Sequence, residues 1–232
     1  MTMRTIEHTQ PGPVLLVLHI SAGTVTVTAD PEFTTAALTL APLTDGDTTA
    51  ERAAASTTVS HRGARLDVRV PATPTAPQVI GLSLPGLTIT GGTVVAGTIG
   101  GHGNSGKVTL GPTGLATTSG AGLAADVRLP AGSTVRITAD SAAVILDGPL
   151  ADAEVVTTSG SVDITGAADV FASTDSGAIH LYVPTGGRAY ARTGSGSIDI
   201  TTAPDVPANA LDVASRTGRI RIRPTPGPAS EL

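Results

Sequence analysis

Four residues in the C-terminal third of the chain could place chemistry along one line: Asp163, His180, Asp199 and Arg221. They occupy one position when Gly160, Gly177, Gly196 and Gly218 are aligned, on the face opposite a set of apolar residues. Carboxylates carried in such columns could cleave a glycan, one protonating the leaving oxygen while another activates water or attacks. That chemistry needs the carboxylates at a defined separation inside a cleft, which a column on one strand face does not supply. The plainer reading is a solvated ladder of mixed charge, which also avoids stacking like charges on one another.

Gly101-His102-Gly103-Asn104-Ser105-Gly106-Lys107-Val108 falls one residue short of a phosphate-binding loop. That loop needs a hydroxyl after the lysine to hold magnesium and a helix whose N-terminus faces the phosphates. Val108 occupies the hydroxyl position, and Val108-Thr109-Leu110-Gly111-Pro112 reads as a strand ending in a turn. His8, His19, His61, His102 and His180 show no i,i+4 pair and no carboxylate cluster at ligand spacing, so a metal site is not expected. Gly194-Ser195-Gly196 lies between strands, where a nucleophilic serine elbow does not form. The sequence thus predicts no catalytic residue, no cofactor, no metal and no nucleotide.

The elements that position these residues follow from an internal repeat. Ser159-Gly160-Ser161-Val162-Asp163-Ile164, Ser176-Gly177-Ala178-Ile179-His180-Leu181, Ser195-Gly196-Ser197-Ile198-Asp199-Ile200 and Thr217-Gly218-Arg219-Ile220-Arg221-Ile222 share one pattern, with glycines 17, 19 and 22 residues apart. Apolar residues recur with period 2 after each glycine, the mark of a half-buried strand. Small residues alternate before it: Val155 and Thr157, Ala172 and Thr174, Ala191 and Thr193, Val213 and Ser215. Each unit reads as a strand, a tight corner and a second strand. Glycine supplies a corner conformation that a Cβ would make costly by about 1–2 kcal/mol. Ser105–Leu110 repeats the pattern, Ser141–Leu146 repeats it with Ala for Gly, and segments at Gly23 and Gly63 share the turn and the alternation.

Helical periodicity is confined to Thr48–Ala55, where a threonine–glutamate capping box opens an alanine-rich turn. Pro71–Pro77 reads as an extended connector. The chain therefore divides into an N-terminal strand region with a short helix (1–70), a repeat region (78–223) and a tail (224–232). Stacking the units predicts an all-β fold, a single-stranded parallel β-helix or β-solenoid of 17–22-residue coils. A twisted antiparallel sandwich of hairpins is the alternative.

Composition narrows the partners. Aromatic residues are 2% of the chain against 40% hydrophobic, so the core must be built from Val, Ile, Leu, Ala and Thr. A net charge of −5 and the lack of stacking platforms argue against nucleic acid. With no cysteine, disulfides and thiolate sites are excluded. The apolar run Val14–Ile20 is too short to span a bilayer and has no cleavage-like context. A cytoplasmic location is the expectation and an extracellular one the alternative.

At these repeats the sequence resembles a bacterial family of β-strand repeat proteins of unknown function to which an adhesin role has been ascribed. The resemblance is carried by Ile20–Asp30, by the small helix and by the close Leu211–Ile220. It implies a β-solenoid and no catalytic residue to carry over. The expected function is a non-catalytic structural or interaction scaffold that acts by protein association or self-assembly. The alternative is a carbohydrate-binding or glycan-cleaving β-helix protein.

Overall fold

Alternating apolar and small residues keep the chain extended, and glycines at regular intervals let it turn without disturbing the layer beneath. The computed structural model describes residues 3–72, 83–84, 87–88 and 122–225. Its first elements are β1 (Arg4–Glu7), β2 (Leu15–Asp30), β3 (Ala37–Pro42), α1 (Thr48–Ala55), β4 (Thr58–Arg62) and β5 (Arg65–Arg69). A short antiparallel pair follows, β6 (Ser83–Leu84) with β7 (Leu87–Thr88), in a separate unit of residues 74–120. The remaining strands are β8 (Leu123–Pro130), β9 (Thr134–Asp147), β10 (Asp152–Ser159), β11 (Val162–Thr165), β12 (Asp169–Ser176), β13 (Ile179–Val183), β14 (Arg188–Ser195), β15 (Ile198–Thr202), β16 (Leu211–Thr217) and β17 (Ile220–Pro224). The loop-like motif Gly101–Val108 and the repeat copy Ser105–Leu110 lie outside the described residues.

The repeats build two parallel ladders. Strands that precede a corner stack as β9, β10, β12, β14 and β16, and strands that follow it stack as β9, β11, β13, β15 and β17. β9 serves both ladders because it runs through its own corner. β2 does the same one layer earlier, pairing with β9 from Leu15↔Thr134 to Thr28↔Asp147. Val162, Ile179, Ile198 and Ile220 are consecutive register partners, so the period-2 pattern reports one parallel stack. Inward residues of both ladders join a single hydrophobic core running from Ile6 to Ile200.

The all-β class and the short helix match the sequence, but the sheet as a whole is mixed and unclosed, and not a parallel helix throughout. β1 pairs antiparallel with β3, β3 with β8, and β4 with β5. The Gly63 segment shows why. Only Gly63 and Ala64 separate β4 from β5, so the chain must reverse in a tight hairpin, with Gly63 at φ +57°. What resembles a repeat corner in sequence is a hairpin turn in space.

The repeat corners use glycine differently. A Cβ on Gly177 would collide with the backbone carbonyl of Gly160, and one on Gly196 with that of Gly177. From Gly160 onward each corner therefore rests on the corner below it, and a hydrogen is all that fits between these layers, whereas the corner of β9 carries Ala142. Beside them the hydroxyls of Thr157, Thr193 and Ser215 donate to the carbonyls of Ser159, Gly177 and Gly196. At the N-terminal end the core is covered: α1 lies against β3 and contributes Ala50, Ala53 and Ala54. Asp47 caps this helix by accepting from the Thr49 and Ala50 amides at 3.0 Å. Arg4 donates to the carbonyls of Ala54, Ala55 and Thr57 at the other end.

Candidate functional site

Asp163, His180, Asp199 and Arg221 fall on neighbouring strands at directly paired positions, β11 to β13 to β15 to β17. Adjacent members are thus about 4.8 Å apart along the stack. The side chains point away from the core: Asp163, His180 and Arg221 are exposed and Asp199 is half-buried. On the β9 side the column ends at Ile145, itself exposed, so nothing walls it in. An acid for glycoside cleavage must be held protonated by burial or by a close second carboxylate. His180 separates the two aspartates, and neither is enclosed. Among the described residues no group of three or more His, Cys, Asp or Glu side chains is disposed to hold a metal ion.

The other ladder carries Phe171 and Tyr190 at paired positions. Their rings stack with centroids 4.7 Å apart and planes 6° from parallel, and the Arg192 guanidinium lies 4.4 Å from the Tyr190 centroid. Arg192 also approaches Asp212 at 3.9 Å. A shallow cavity of about 320 Å³ opens beside the rings, lined in part by Asp152, Asp169, Arg188 and Asn209. Sugar recognition needs a free aromatic face. Here the facing sides of the two rings cover each other and Arg192 lies against Tyr190, which ties rung to rung, while Phe171 stays 36% exposed beside the cavity.

Two histidines far apart in sequence meet at the covered end. His8 Nδ1 lies 3.1 Å from His61 Nδ1, and the rings stack 5.4 Å apart. His8 is buried and its Nε2 has no partner among the described residues. One of the two Nδ1 atoms donates to the other, the direction being set by the tautomers of the two rings. The contact ties the chain just after β1 to β4. No sequence signal announces it, since the two residues are not part of any spacing pattern.

The feature that separates one end of the structure from the other is at β16 and β17. Val162, Ile179 and Ile198 are each fully buried, yet Ile220, next in the same stack, is 40% exposed. Ile222 is 49% exposed where its partner Ile200 is 1%. With Leu211, Val213, Thr202 and Val206 they line an open cleft of about 350 Å³. β16 pairs only with β14 and β17 only with β15, so the outer edge of each is unpaired among the described residues.

No family model matches the chain, and no curated protein matches it. Two solved structures are similar to it at a low level. A candidate cell adhesion protein from Clostridium sporogenes is 10% identical, covering 97% of this chain and 98% of that one at a TM-score of 0.48. A candidate adhesin from Bacteroides fragilis is also 10% identical, with 97% of each chain covered and a TM-score of 0.35. No helix among the described residues is long and apolar enough to cross a membrane.

Proposed function

We propose that the chain is a non-catalytic scaffold, a stack of β-coils in the manner of a solenoid, that acts by association through the open end of its core. The observation that carries this reading is the exposure of Ile220 and Ile222 at positions that every earlier layer buries. An unpaired strand edge beside an apolar cleft is a template for another strand, because main-chain groups and alternate side chains are both left to be satisfied. The opposite end differs in its core: the outer edges of β1 and β4 are also unpaired among the described residues, but Ile6 is buried there and α1 packs Ala50, Ala53 and Ala54 into the core. Association would therefore be polar, through one end, and would not propagate as a fibre built head to tail.

The exposed column of Asp163, His180, Asp199 and Arg221 then serves as a solvated outer face. The test uses a neutral strand peptide alternating isoleucine and threonine, with amide exchange read residue by residue. Binding should slow exchange at Ile220 and Ile222 and leave β1 and β4 unchanged. No protection with peptide at about millimolar concentration, the weak end of specific binding, would sink the association reading. Turnover of a glycan lost on Asp163→Ala or Asp199→Ala would overturn the non-catalytic one.

A further inference from the structure

The open end also carries charge, and this narrows what can sit on it. Arg216, Arg219, Arg221 and Arg223 are all exposed, on β16 and β17 and the corner between them. They are four of the 14 lysines and arginines in a chain of net charge −5. None makes an ion pair among the described residues, although Asp199 lies in register beneath Arg221. The backbone of β17 is as clearly disposed. The Arg219 carbonyl accepts from the Ile198 amide, and the Thr225 amide donates to Thr202, so odd-numbered residues of this segment turn their polar groups toward β15. Successive residues of a strand point these groups to opposite sides. The N–H and C=O of Ile220 and Ile222 therefore face the open side, while Pro224 has no N–H to offer there.

We infer that the open end takes one extended segment of a partner protein in which branched aliphatic residues alternate with aspartate or glutamate. The inference rests on the association reading above and adds the partner's chemistry. The backbone of Ile220 and Ile222 pairs with the incoming strand, its aliphatic side chains enter the cleft beside Leu211 and Val213, and its carboxylates meet the outward arginines. Among the described residues the edges of a second copy fit this poorly. Its own β17 would bring arginine against arginine, its β16 carries one acid, Asp212, on the same face as Arg216, and β1 and β4 at its covered end hold a single acid, Glu7. A plain polyanion would meet the arginines but leave the apolar cleft uncovered. The negative charge of the rest of the chain steers an acidic segment toward this end and away from other faces.

The experiment measures fluorescence anisotropy of short labelled peptides against the intact chain. Isoleucine alternates with glutamate, with threonine or with lysine in three peptides, and a polyglutamate of equal length is the fourth. The glutamate peptide should bind about tenfold tighter than the threonine one, the expectation for a few exposed ion pairs, and lose that advantage as salt rises. The lysine peptide should bind weakest. In a variant with Arg219→Glu, Arg221→Glu and Arg223→Glu the order of glutamate and lysine peptides should invert, and in the corresponding glutamine variant the two should bind alike. Both variants change exposed side chains only, and unchanged amide protection in β13 and β15 verifies that they fold.

Equal binding of the glutamate and threonine peptides would overturn the acidic partner and leave the edge reading standing. Failure of all three strand peptides would remove both. Polyglutamate binding as tightly as the alternating peptide would show a general anion surface and overturn the strand.

Discussion

Replacing Gly177 with alanine tests whether stacking, more than turn conformation, is what the repeat glycines provide. Gly177 has no left-handed backbone, so a Cβ there meets no intrinsic strain, but it would collide with the carbonyl of Gly160 in the layer below. Relief requires the two corners to move apart. That movement threatens the hydrogen bonds from Gly160 to Ser176, from Gly177 to Ser195 and from Val162 to Ala178, which span 2.9–3.2 Å. Two of these at about 1 kcal/mol each, with about 1–3 kcal/mol for an overpacked site, give a loss of about 3–5 kcal/mol. Gly186 is the control. It sits at φ +78° with nothing within 4 Å of where a Cβ would stand, so Gly186→Ala costs only the left-handed strain, about 1–2 kcal/mol. Urea unfolding of both variants, followed by circular dichroism at matched slope, should place Gly177→Ala well below Gly186→Ala. If the order is reversed, or if Gly177→Ala lies within about 1 kcal/mol of the unaltered chain, backbone strain dominates and the stacking argument fails.

Three further outcomes follow from the same geometry. Ile198→Ala should cost about 2–5 kcal/mol, because the side chain is fully buried between layers, whereas Ile220→Ala should cost less than half as much, as its outer side is already uncovered. Asp47→Ala should cost about 1 kcal/mol through loss of the cap on α1, measured by thermal unfolding. The hydrogen bond and charge of Arg65 hold the Asp67 carboxyl below its ordinary value. A lowered value in the folded state means a contribution present above the unfolded pKa and lost as pH falls through the folded one, so Asp67→Asn should flatten the decline in stability below about pH 4.

Much of the interior was legible because it is periodic. The alternation after each glycine identifies Val162, Ile179 and Ile198 as one buried stack, and the same alignment brings Asp163, His180 and Asp199 onto the outer face in consecutive register. The alternation before each glycine also marks Thr157, Thr174 and Thr193, all buried beside the corners. Gly63 misled for a physical reason: glycine followed by alternating residues describes a hairpin as well as a corner, and the difference lies in how few residues separate β4 from β5. The His8–His61 contact was out of reach, since it depends on where two ends of the sheet come together.

The open end was hidden by the very regularity that exposes the core. In the aligned repeats Ile220 and Ile222 are indistinguishable from Ile198 and Ile200, and pattern alone assigns them to the interior. Burial in a stack is a property of neighbours on both sides, and the last layer among the described residues has one on a single side. What does distinguish this layer in sequence is its alternate residues: arginine at 219, 221 and 223, where the preceding layer has Ser197, Asp199 and Thr201. Charge at alternate positions of an exposed strand prevents unspecific pairing with like-charged edges. The same charge leaves an oppositely charged strand free to pair, so a guard against self-association and a filter for an acidic partner are one arrangement of side chains.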